Sequence, residues 1–167
     1  LVLDRLARFD RTYGERIIYH EAGHYLLAHL FDIPVTDYSL TAWDAWKKGQ
    51  PGSGGVVLTP PPTVLDGRGI DRYCTIWMAG IAAEQLVYGD SRGGFDDRQK
   101  LRGVLATFGV NVSRRQEKEN WALLQAKTQI EKHQSAFDCL VECFTQGLPV
   151  SECDRLLAER IDPTDAV

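Results

Sequence analysis

Residues 12–31 read TYGERIIYHEAGHYLLAHLF, and His20-Glu21-Ala22-Gly23-His24 at their centre governs the reading of everything else. Thr12 and Glu15 form a T-x-x-E capping box that predicts a helix start. The chain then stays helix-compatible to about Phe31, before Pro34. A helix puts residues i and i+4 on one face, so the imidazoles of His20 and His24 can reach a single metal ion. Glu21 points beside that ion, where it can take a proton from a bound water whose pKa zinc lowers to about 7. Ile17, Leu27, Ala28 and Phe31 continue the histidine stripe and place it in a dry, apolar seam. Ala22 and Gly23 are small enough for a neighbouring segment to approach closely.

Working outward, the pattern predicts a mainly helical domain with one small β element. Leu1 to Phe9 reads as a separate short amphipathic helix. Val35 to Thr41 alternates like a strand, and Ala42 to Gly55 reads as a surface loop carrying Trp43 and Trp46. Gly55-Val56-Val57-Leu58-Thr59, closed by Pro60, Pro61 and Pro62, suits an edge strand. Asp66 to Gly69 is a turn before a helix from about Ile70 to Tyr88, which Gly89 stops. After a glycine-rich loop, helices are expected from Asp96 to about Phe108 and from Ser113 to about Thr145. Gly147 and Pro149 break the latter, and Ser151 with Asp154 caps a last helix to about Arg160.

The composition bounds the function. The 167 residues suit one domain, with 44% hydrophobic and 25% charged residues and a net charge of −4. Such a chain has no electrostatic call on nucleic acid. Its apolar runs, such as Ile76 to Ala83, fall far short of the ~20 residues that span a bilayer. Cys74, Cys139, Cys143 and Cys153 form no C-x-x-C pair and read as buried small hydrophobes. No G-x-x-x-x-G-K-[ST] occurs, so P-loop chemistry has no support in these residues.

A catalytic zinc needs a third protein ligand and an open fourth position. Glu84 lies on the apolar face of the predicted helix 70–88, where a lone carboxylate is expensive unless paired or metal-bound. Asp96 and Asp97 follow Gly93-Gly94 at a predicted helix start. Residue chemistry leaves these three candidates open. Tyr19 and Tyr25 flank the motif and read as core packing, and so do His29 and His133.

Four blocks resemble the peptidase domain of the FtsH-type ATP-dependent zinc metalloproteases. They are His-Glu-Ala-Gly-His at 20–24 with Tyr25-Leu26-Leu27, Gly55 to Pro60, Met78 to Gly89, and Gly93-Gly94-Phe95-Asp96-Asp97. Their order and spacing match over a core of residues 12–110, with residues 113–160 resembling the family's more variable C-terminal helices. The resemblance implies a helical, zincin-like peptidase domain over residues 1–167 and one zinc ion held by His20, His24 and Asp97. It implies Glu21 as catalytic base, with Glu84 and Asp96 supporting the ligands. A substrate would lie along Gly55, Val56, Val57, Leu58 and Thr59.

The resemblance further implies a stand-alone member, of the kind found in cyanobacteria and plastids, without ATPase or membrane segments. The function then expected is zinc-dependent hydrolysis of peptides or unfolded segments, in the cytoplasm or the plastid stroma. A non-proteolytic, zinc-stabilised adaptor is the alternative. The expected partners are a peptide substrate and, besides it, copies of the chain or full-length family members.

Overall fold

A computed structural model of the chain describes residues 2–49, 54–62 and 64–162, with side chains described from Thr12 onward. Leu1 of the first predicted helix and residues 50–53 of the predicted loop lie outside the described residues. The described chain is mainly helical and carries one small two-stranded antiparallel sheet. In chain order the elements are α1 (Val2–Leu30), β1 (Val35–Ser39), α2 (Ala42–Lys47), β2 (Gly55–Leu58), α3 (Gly67–Tyr88), α4 (Phe95–Thr107), α5 (Val112–Lys132), α6 (Gln134–Gln146) and α7 (Val150–Ala158). No helix among the described residues is long and apolar enough to cross a membrane.

The helix α1 is continuous, which corrects the expectation of two helices parted before Thr12. Asp10 and Arg11 carry no helix breaker, so the first helix runs on and the Thr12/Glu15 box lies inside it. Its end is firm. Asp32 adopts a left-handed φ of 56°, and the Ile33 N–H returns to the Ala28 carbonyl at 2.9 Å. Pro34 then starts the turn into β1.

The predicted loop 42–55 contains α2, a second correction. Thr41 caps it by accepting from the Asp44 N–H at 3.0 Å, a T-x-x-D pattern present in the sequence. Trp43 and Trp46 stack on each other at 4.9 Å and remain exposed. The strand β2 pairs with β1 in antiparallel register, with Tyr38 opposite Val56 and Ser39 opposite Gly55. The expected strand end at Thr59 survives as a backbone bond to the Pro34 carbonyl at 3.0 Å.

The helix expected over 113–145 is two helices, parted at His133. The buried positions Ala122, Ala126, Ile130, Phe137, Leu140 and Phe144 keep a helical period straight through the break. No glycine or proline marks it, so the periodicity conceals the change of direction. The last helix starts at Val150 with Pro149 as its N-cap, not Ser151, and no side chain caps it.

The core is the crossing of α1 on α3, closed by α6. A Cβ on Gly23 would come 2.5 Å from the Ala79 carbonyl oxygen, so glycine lets the two backbones touch. A second apolar cluster of Cys74, Met78, Ile81, Leu101, Leu105 and Ala122 seats α4 and α5 on the far side of α3. All four cysteines are buried and free.

Candidate metal centre

The α1–α3 crossing sets the site. His20 and His24 face α3 one helical turn apart, and the His20 ring lies directly over Gly80. His20 Nδ1 meets Glu84 Oε1 at 2.8 Å, and His24 Nδ1 donates to the Ile76 carbonyl at 2.7 Å. Both rings are thereby oriented by α3, leaving both Nε2 atoms turned towards a common point.

The third group arrives from α4. Gly94 takes a φ of 92° immediately before the helix, and a Cβ there would overlap Ile81. This tight entry turns Asp97 inward. Its Oδ2 lies 3.1 Å from His20 Nε2 and 3.5 Å from His24 Nε2. The three candidate ligand atoms fall within 4.8 Å of one another, and all three residues are buried. Two imidazole nitrogens and one carboxylate oxygen form a donor set that suits zinc. Among the described residues no fourth His, Cys, Asp or Glu joins the group.

The structure thus separates the three carboxylates that sequence chemistry left open. Asp97 joins the histidines. Glu84 stands behind them, accepting from His20, from Arg16 Nη1 at 3.2 Å, and from the N–H groups of Arg92 and Gly93 at 2.9 and 3.2 Å. Asp96 is exposed on the rim, outside the cluster. Tyr19 packs on Tyr88 and Phe137, and the Tyr25 hydroxyl bonds Asp154, so neither tyrosine addresses the site.

Arg16 escaped sequence reading. It is buried, crosses the Tyr88 ring at 4.2 Å and bonds both Glu84 and Asp90. Its signal was positional, four residues before His20 on the same helical face.

Glu21 lies in the wall of a cleft of about 750 Å³ beside the cluster, between α1 and β2. Its Oε2 accepts the Val56 N–H at 2.8 Å. Val56, Leu58, Pro60, Tyr73 and Trp77 supply apolar walls, and Arg92 with Lys100 a basic rim.

The charges are mutually dependent. Burial pushes the His20 imidazole down, but the carboxylates of Asp97 and Glu84 outweigh it and hold its pKa at about 10. Burial raises Asp97, but His24 and His20 outweigh that and hold it well below the usual carboxylate range. Glu84 is likewise raised by burial, yet His20 and the Arg92 N–H bring it down to about 2.

In the metal-free protein His20 is therefore an imidazolium at neutral pH, with a proton on Nε2 where a metal would sit. A raised pKa contributes stability that is complete below His20's ordinary 6.5 and is lost as pH rises towards about 10. The lowered Glu84 contributes stability that is lost as pH falls from its ordinary 4.5 towards about 2. Thermal melts of metal-free protein should therefore be highest between these two windows and fall on the alkaline side. A metal ion held there would take the place of the Nε2 proton, so loaded protein should hold its stability through that alkaline range. Parallel alkaline losses in the two forms would contradict this account of His20.

No family model matches the sequence. The curated proteins yield no match either.

Proposed function

We propose that this chain is a zinc-dependent peptidase of FtsH-type character, acting on short peptides or already unfolded segments. The observation that carries the reading is the convergence of His20 Nε2, His24 Nε2 and Asp97 Oδ2 in a cleft that also holds the Glu21 carboxylate. The lack of a fourth protein ligand among the described residues supports a catalytic site over a closed structural one.

When bound, zinc supplies Lewis-acid polarisation of a carbonyl and makes water acidic enough to attack near neutral pH. The chain's own groups do the rest. Glu21 takes the proton of the attacking water and passes it to the departing amine nitrogen as the C–N bond breaks. Glu84 and the Ile76 carbonyl hold the two imidazoles in the tautomer that directs Nε2 inward. The outer edge of β2 pairs with an extended peptide, and the apolar walls exclude water from the reacting bond.

The test is metal-dependent cleavage. Purified protein should hold about one zinc per chain and cleave a loosely structured protein or a fluorogenic peptide. Chelation should remove that activity and zinc should restore it. A stoichiometrically loaded protein that cleaves no unfolded substrate would sink the reading and leave a zinc-stabilised binding module.

A further inference from the structure

The outer edge of β2 is not bare. Opposite Tyr38, the Val56 N–H turns away from β1 and reaches the Glu21 carboxylate instead. The contact spans 35 residues of sequence and is built for. Gly54 and Gly55 take φ values of 103° and 130°, which swing the start of the strand round to face α1. A Cβ on Gly55 would stand 3.3 Å from Glu21 Oε2 and 3.5 Å from Oε1. The carboxylate thus lies against glycine backbone at a place where any side chain would crowd it. Gly54 is fixed in turn, since a Cβ there would meet Ser39 Oγ at 2.5 Å.

A strand offers its outward N–H and C=O only at every second residue. In the four residues of β2, Val56 and Leu58 hold those positions. A peptide laid on this edge needs the Val56 N–H as a donor, and Glu21 already holds it. One proton cannot serve both a peptide carbonyl and the carboxylate at full strength.

We propose that Val56 N–H and Gly55 latch Glu21 in the peptide-free protein, and that an extended peptide pairing with β2 takes over the N–H and releases the carboxylate into the cleft. Gly55 is a positioning residue in this arrangement. The occupant is a peptide segment in β conformation, recognised through a main-chain carbonyl and not through a particular side chain. The occupant rests on the peptidase reading, whereas the latch stands on the geometry alone. The exchange couples the base to its substrate: the carboxylate is unlatched where a peptide carbonyl has arrived.

Amide hydrogen exchange of zinc-loaded protein, resolved by NMR, tests both halves. Val56 should be protected in the free protein. Glu21→Ala should speed its exchange by about tenfold or more, the loss of one charge-assisted hydrogen bond. Gly55→Ala, which keeps the carboxylate but crowds it, should do the same. Circular dichroism and zinc content identify a variant that has not folded. Unchanged Val56 exchange in folded variants overturns the latch.

The second measurement is binding of a capped valine–leucine hexapeptide whose central amide is replaced by an uncharged ethylene link. It should protect Val56 in wild type and in Glu21→Ala, and bind the variant several-fold more tightly because no carboxylate competes. Equal affinity for the two proteins overturns the exchange. Binding to neither overturns the exchange together with the peptidase reading, while Val56 protection still reports on the latch.

Discussion

Glu21→Gln should leave zinc bound and lower peptide cleavage by about 10²–10⁴-fold, the usual contribution of a positioned general base. The substitution changes little else. Glutamine has the same shape, and its carbonyl oxygen can still accept the Val56 N–H that Glu21 Oε2 holds at 2.8 Å. Glu21 is not one of the three candidate ligands, so metal content should be that of the wild type. What the amide cannot do is carry a proton from water to the leaving nitrogen. The measurement is kcat/KM with metal analysis on the same preparation. Cleavage within about tenfold of wild type would remove Glu21 from the role of base.

Gly80→Ala should cost the site its metal without altering any candidate ligand. An added Cβ would lie 2.3 Å from His20 Nε2 and 2.6 Å from Cε1, in the space the imidazole fills. Two escapes exist and both are blocked. If the ring swings aside, it leaves Glu84 and Asp97. If the helices part, the contact of Gly23 with Ala79 opens, and the core beneath it loses its packing. Zinc affinity should fall by more than about 100-fold, beyond the usual effect of losing a supporting group. Stability should fall by roughly 1–3 kcal/mol, the usual cost of overpacking. The control makes the same chemical change at Gly103, in the middle of α4, where nothing lies within 4 Å of the added atom. Gly103→Ala should leave metal binding alone and stabilise the helix by about 0.5–1 kcal/mol. Wild-type zinc affinity in Gly80→Ala would contradict the geometry of the centre.

The site was legible in the sequence where its chemistry is local. His20 and His24 needed only helical spacing, and Glu84 announced itself as a carboxylate on an apolar face. Asp97 could not be separated from Asp96 by residue chemistry, because the choice depends on how Gly93 and Gly94 turn the chain into α4. Only the family resemblance favoured it. Arg16 and the Val56 N–H were invisible for a similar reason: each acts on a group 35 or more residues away, and one of them is backbone.

The fold divides the same way. Strong stops such as Asp32-Ile33-Pro34 and Gly89 ended their helices where expected. The break at His133 had no stop residue, and the unbroken apolar period hid it. The helix α2 was the opposite case. Its capping pattern at Thr41 and Asp44 stood in the sequence, masked by the glycines that follow.

The segment between α3 and α4 carries a kinetic consequence. His20 and His24 sit on one long helix packed into the core, so two donors stand ready whatever that segment does. Asp97 comes from a separate element, α4, which is held by Leu101 and Leu105 on α3 and by residues 89–94, with Asp90 on Arg16 and the Arg92 and Gly93 N–H groups on Glu84. A metal ion would therefore arrive at a half-built seat and be locked in by a clasp. Its dwell time would then follow how often that clasp lifts, a local opening of α4 and the segment before it. Equilibrium affinity would be governed by the donors, and the pace of exchange by the contacts that hold α4 down, one layer behind them.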